Sequence, residues 1–201
     1  APDTIRTFYG IDNVRAYRTD VQGVCGLIIG CTRDSSMTMY QDPIVWTGQR
    51  QLFGDSIRCF MNDSTIREAH VMGNAFSIEL MNDGEHYNQV SSKLMNAYFV
   101  DGKIRWSEAI SNVLIVYYPV DDKDSSLIGL NYTETDTMRA YMTPERKLEK
   151  IWMPKSTGTL YPMNQIPADK LKLRGFAWYD YIRPLDKHDL FRHVSKGDKA
   201  Q

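Results

Sequence analysis

The sequence predicts an all-β protein made of stacked strand pairs, and three observations carry that prediction. A two-strand pattern repeats at an offset of 38 residues through the middle of the chain. Polar turn signals separate the apolar runs, and the 12 Tyr and 4 Trp, with many Val, Ile and Thr, favour extended structure. A fixed period of this size marks a repeat architecture in which no unit buries its apolar face alone.

The clearest copies run through residues 54–78 and 92–116. Sliding one onto the other superposes Ile57 on Met95, Ile66 on Ile104, Val71 on Ala109, Asn74 on Asn112 and Ala75 on Val113. Each copy is two β-type runs around a polar turn: 62–65 in the first, and 100–103 with its Asp101-Gly102 signal in the second. A third copy reads MRAYM at 138–142, echoing MNAYF at 95–99, then turns at 143–147 into 148–153. A looser fourth copy spans 23–46, without a fixed register.

Residues 13–18 alternate apolar and polar as a first strand. The apolar run 24–31 contains Gly26 and Gly30, which mark a bulge, a bend or close approach of another backbone. Asp42-Pro43 opens a strand, 47–50 is a hairpin loop, and Asn82-Asp83-Gly84 is a strong turn signal. The polar stretch 120–126 reads as a solvated, mobile loop. After Tyr161 the character changes: Pro162, Pro167 and Pro184 punctuate an aromatic-dense segment, with a short helix expected near 166–171. No linker divides the chain, so a single domain is expected over 1–191. Within it, 162–191 is a C-terminal cap over an open strand edge, and 192–201 is a polar, disordered tail.

Composition excludes several classes. Residues total 201, with 42% hydrophobic, 24% charged and a formal net charge of −1, an ordinary globular balance without the basic excess of a nucleic-acid binder. No run is long enough for a transmembrane helix, and the Ala1-Pro2-Asp3 start carries no signal-type stretch. Three Cys cannot all pair. Cys25 and Cys31, about 20 Å apart along one strand face, are too far apart to bridge, so the three read as buried apolar thiols.

The chemical inventory is thin. His70, His86, His188 and His193 follow no zinc spacing, and no nucleophile elbow, phosphate loop or dinucleotide fingerprint occurs. Asp121, Asp122 and Asp124, and Asp83 with Glu85, lack the ligand spacing of a calcium loop. Neither a cofactor nor a metal is expected, and an enzyme is the weaker reading. A carbohydrate-active β-solenoid would need two carboxylates about 5–10 Å apart in one cleft. The chain offers instead a stripe of apolar residues in one register of three repeats: Ile57, Cys59 and Met61; Met95, Ala97 and Phe99; Met138, Ala140 and Met142. That stripe reads either as packed core or as an apolar groove, and flexible methionines suit the second. A one-residue register slip would invert the list.

The order of several motifs resembles the OstA/LptA-type lipopolysaccharide-transport family, in particular its Bacteroidetes OstA-like proteins. They are QGVC at 22–25, MYQDPIVW at 39–46, FMNDSTI at 60–66, GNA at 73–75, YNQVS at 87–91, MNAYFVDG at 95–102 and LRGFAW at 173–178 with Arg183-Pro184. The resemblance spans 13–191. It implies an antiparallel β-jellyroll, the "β-taco", whose interior shields the acyl chains of lipid A in the periplasm. It further implies non-covalent carriage without catalytic residues, head-to-tail pairing of open ends or docking to other transport components, and a chain that is one segment of a longer bridge. Ser92 stands where many members carry glycine. A structural assembly module with a packed interior is the alternative.

Overall fold

The computed structural model describes residues 4–62, 65–121, 123–145, 148–194 and 196–197. The strands are β1 (Thr7–Arg18), β2 (Val21–Cys31), β3 (Ser36–Tyr40), β4 (Ile44–Thr47), β5 (Arg50–Phe53) and β6 (Ser56–Asn62), followed by β7 (Thr65–Leu80), β8 (Tyr87–Val100), β9 (Lys103–Tyr117), β10 (Gly129–Met142), β11 (Leu148–Trp152) and β12 (Ser156–Pro162). All pairings between them are antiparallel. The result is one 12-stranded sheet, an antiparallel β-jellyroll. Among the described residues the only helices are single 3₁₀ turns. The short helix expected near 166–171 is one such turn, Ala168–Lys170.

The sheet is a taco because one line of irregularities crosses it. Register shifts fall between Ile11 and Val14 in β1, Met72 and Ala75 in β7, and Ser91 and Leu94 in β8. A further shift falls between Thr135 and Thr137 in β10. The same line separates β5 from β6 and β11 from β12. Bulges bend strands and increase twist, and here they stack strand on strand, so each long strand turns a corner at the same height. Asn74 and Asn112, the pair superposed by the 38-residue offset, both hold positive φ, 45° and 53°, at this corner. Asn tolerates that backbone better than most residues. Gly73, at φ 70°, has no alternative: a Cβ there would lie 2.1 Å from the Asp55 carboxylate.

Two walls result. Residues such as 56–62, 65–72, 94–110 and 137–142 form the first, and 75–80, 87–91, 113–117 and 129–135 form the second. On the inner face the walls meet at the corner. Ile57 and Val71 of the first wall cluster with Val45 and Leu52 of the second, and Met138 clusters with Val113 and Ile115.

The outer face of the second wall carries the largest cluster: Phe76, Ile78, Val116, Tyr118 and Leu130, closed by Leu173. A neighbouring cluster joins Ile44 and Trp46 to Ile182. Of the segment 162–191, expected to cap an open edge, residues 163–185 lie across this wall as a strap. Buried glutamines hold it. Gln89 donates to the Leu171 carbonyl at 2.8 Å and accepts from the Leu173 N–H at 2.8 Å. Gln51 repeats the pattern six residues on, donating to Ala177 at 2.7 Å and accepting from Tyr179 at 2.7 Å. Gln22 accepts from Arg183 Nε and Nη2 at 2.9 and 2.6 Å. Gln22, Trp46, Gln51, Ile78 and Gln89 are successive cross-strand partners, so the three amides share one row.

The tail expected to be disordered lies partly outside the described residues. Its described part is docked: the Tyr181 hydroxyl donates to the Lys196 carbonyl at 2.9 Å, Lys196 Nζ lies 2.6 Å from Asp42, and Arg192 donates to the Tyr181 carbonyl. In the loop expected to be mobile, Asp121 and Asp124 accept backbone N–H groups of Lys123 and Ser126, and Val120 bridges Leu127. Asp122 lies outside the described residues.

Candidate functional site

Cross-strand register determines where the nine stripe residues sit. Cα partners share a face, and side chains alternate along each strand. Ile57, Val71, Met95, Ala109 and Met138 are successive partners across β6 to β10. Two residues on, Cys59, Ala69, Ala97, Ser107 and Ala140 form a second row. A third row follows near the strand ends, where Met61 pairs Ile66, Phe99 pairs Ile104 and Met142 pairs Leu148. All nine predicted residues therefore share the inner face of the first wall.

Burial falls from row to row. At the corner Ile57, Val71 and Ala109 are at most 1% exposed, and Met95 bridges two clusters. In the middle row Ala140 is buried while Cys59, Ala69, Ala97 and Ser107 are half-buried. Met61, Ile66, Phe99, Ile104 and Met142 in the third row are half-buried, and Leu148 is 49% exposed. The stripe is thus buried at the corner and half-buried toward the strand ends. The middle row reads as a shallow trough, with small side chains between apolar rows that are larger except at Ala109. It crosses five strands, a span of about 19 Å at the usual interstrand spacing. Met37 on β3 and Ile151 on β11 continue the row at its ends. Beyond Met37, the Phe8 ring lies over Gly30, where a Cβ would come within 1.9 Å of it. That is the close approach Gly30 signals.

The second wall does not mirror this. Its inner face carries Leu52, Val90 and Ile115, but at the far end it turns to the Arg50–Glu79 ion pair, 2.9 Å. The outermost row of the second wall, which also holds Asn88, Tyr117, Asn131 and Leu160, is therefore mixed where that of the first wall is apolar.

Electrostatics in the trough are quiet. Burial pushes the Cys59 thiol up to about 11, and Cys25 on β2 likewise. All three cysteines are free; Cys25 is buried, whereas Cys31 and Cys59 are only half-buried, short of the uniform burial expected. A thiol raised this far holds little thiolate at neutral pH, and thiolate is the reactive form. Iodoacetamide at pH 8 is expected to label Cys59 about a hundredfold more slowly in the native protein than in urea, with the native rate climbing as pH approaches 11. Equal rates in both states, read by peptide mass spectrometry, would contradict the burial of this thiol.

Several polar clusters elsewhere serve the fold, although His70 Nε2 and Asn96 Oδ1 are buried without a hydrogen-bond partner. Asp83 accepts the backbone N–H groups of His86 and Glu85, which hold its carboxyl down to about 2, and His86 Nδ1 lies 2.7 Å away. On the outer face of the first wall, buried Glu108 accepts from Asn96 at 3.0 Å and from Arg139 Nε at 3.1 Å. His70 sits beside them, 3.3 Å from Glu68. Among the described residues no group of three or more His, Cys, Asp and Glu is placed to hold a metal, and no helix is long and apolar enough to cross a membrane.

The stripe omits two of the five strands of its face. Val71, Ala69 and Ile66 on β7, and Ala109, Ser107 and Ile104 on β9, complete the three rows. Their repeat partners were visible at the 38-residue offset, and the signal was the alternation within those strands. The glutamine row carried a weaker signal: a lone Gln at an apolar register position in each of β2, β5 and β8.

Neither a family model nor a curated protein sequence matches the chain. Among solved structures, it is similar to LptH from Pseudomonas aeruginosa, described as the LptA-homologous periplasmic component of a conserved lipopolysaccharide transport device. That similarity has a TM-score of 0.47 at 10% identity, covering 79% of this chain and 96% of that one.

Proposed function

We propose that this protein is a non-enzymatic carrier of lipopolysaccharide, working in the periplasm and shielding acyl chains of lipid A in the inner trough. The observation that carries the reading is the middle row of small side chains, Cys59, Ala69, Ala97, Ser107 and Ala140, lying between apolar rows that are larger at every strand except at Ala109. A packed interior would fill such a row from the opposite wall; here most of it stays half-exposed. Removing an alkyl chain from water is favourable by about 0.8 kcal/mol per methylene, so a trough of this length holds a chain without any charged contact. The sequence resemblance to OstA-like proteins points the same way.

The two sheet edges fit head-to-tail assembly with further copies or other transport components. β1 exposes Phe8, Tyr9 and Ile11, and the opposite edge exposes Ile151, Trp152 and Leu160. Each edge bends at the corner line, at 12–13 and at 153–155. Unpaired edges with apolar side chains are templates for another strand. The test is native mass spectrometry of the protein with lipid A: a stoichiometric complex is expected, and its absence where an OstA-like protein binds would favour a packed assembly module.

A further inference from the structure

The middle row of the inner face does not run freely from one sheet edge to the other. Its small side chains occupy β6 to β10, and the row changes character at both ends. Toward β1, the cross-strand partners that follow Cys59 are Met37, then Gly30, then Phe8. Met37 puts a long, half-buried thioether directly beside Cys59. Gly30 would reopen the row, but the Phe8 ring fills the space above it, and a Cβ on Gly30 would run into the edge of that ring. Toward β11, Ala140 is only 7% exposed, and Ile151 follows it. The open stretch is therefore Cys59, Ala69, Ala97 and Ser107, all half-buried.

We infer that Met37 and Phe8 form a stop at this end of the row and set the longest acyl chain that the trough accepts. The inference rests on the carrier reading and adds a length limit to it. A chain lying along the row gains by covering apolar surface on each strand that it crosses. Past Cys59 that gain ends. The Met37 side chain stands in the path, and the Phe8 ring takes the one place where a glycine would have left room. Among the described residues, Met37 joins none of the core clusters, and Phe8 is 52% exposed. Trimming both side chains therefore alters the row without emptying the packed interior, which is where lost side-chain volume is costly.

The experiment is titration calorimetry of the full chain with saturated fatty acids of graded length, each below its micelle concentration. For the wild type, affinity is expected to rise about tenfold with each added pair of methylenes and then to level off. The double variant Phe8→Ala, Met37→Ala opens two more strands of the row. Its limit should move to chains about 10 Å longer, with a melting curve close to that of the wild type. Cys59→Met carries the thioether one strand further in and should shorten the limit by about 5 Å. Ile151→Ala, beyond buried Ala140 at the other end, should leave the limit where it is. One limit shared by the wild type and both stop variants would overturn the stop and leave the carrier reading standing. So would a wild-type affinity that rises without levelling off, or a limit that moves with Ile151→Ala instead. Binding of no fatty acid at any length would remove the carrier reading and the stop together.

Discussion

Replacing Gln51 with Leu is expected to destabilise the protein by about 3–5 kcal/mol and to free the C-terminal strap. Gln51 is fully buried, and its amide serves three groups. It donates to the Ala177 carbonyl and accepts from both the Tyr179 N–H and the Trp46 indole N–H, the last at 3.2 Å. Leucine fills the space and abandons all three. Each buried polar group left without a partner costs about 1–3 kcal/mol, unless the strap detaches and lets water in. Detachment exposes Trp46, Ile44, Phe76 and Ile78. Urea unfolding should therefore show a lower midpoint, and limited proteolysis should cut within 163–183, where the wild type resists. Gln51→Glu keeps an acceptor but buries a charge and loses the donor. Burial raises such a carboxyl, so its protonated form is favoured in the fold and stability should recover partly as pH falls. A variant as stable as the wild type, with an uncut strap, would show that the glutamine row merely accompanies apolar packing.

Ala97→Trp is expected to leave the protein folded and to weaken lipid A binding by about tenfold or more. Ala97 is the central residue of the middle row and is half-buried, so in the carrier reading an indole there lies along the row. It then occupies the volume proposed for an alkyl chain. In a packed core the same insertion would force side chains off their rotamers at about 1–3 kcal/mol. The melting temperature and the native mass spectrum with lipid A together separate the two cases. Met95→Asp separates them less well. Met95 touches both corner clusters, so a carboxylate there costs stability whatever the trough does.

The difference between Ala97 and Met95 shows where sequence reading reached and where it stopped. Alternation in MNAYF and MRAYM, repeated at one offset, was enough to put nine residues on one face, because the side-chain period of a strand is fixed. It held even though β7 and β9 bulge beside Phe60 and Tyr98, since the extra residues fall on the partner strands, at Arg67 and Arg105. Which row is core and which is open depends on the opposite wall, and that follows from the corner. Asn74 and Asn112 coincide at the repeat offset, but only the stacking of bulges on several strands turns a tolerated positive φ into a fold line.

The strap was legible only as composition. Its aromatic residues signalled burial, yet its place across the second wall depends on side-chain amides more than eighty residues away, as with Gln89 and Leu171. Contacts of that kind leave no periodicity in the chain. The carboxylates at 83, 121 and 124 illustrate the reverse case. Acidic clusters that invite a chemical role prove to be acceptors for the N–H groups of their own turns.

The central claim concerns which face of the first wall meets lipid, and adjacent residues can decide it. Phe99 points into the trough and Tyr98 lies on the opposite face, beside Trp106. A photo-crosslinking phenylalanine analogue placed at each position, irradiated with lipid A and read by mass spectrometry, compares the two faces within one strand. Crosslinks from position 99 and none from position 98 are expected. Crosslinks from position 98 alone, from both positions equally, or from neither would contradict carriage in the trough.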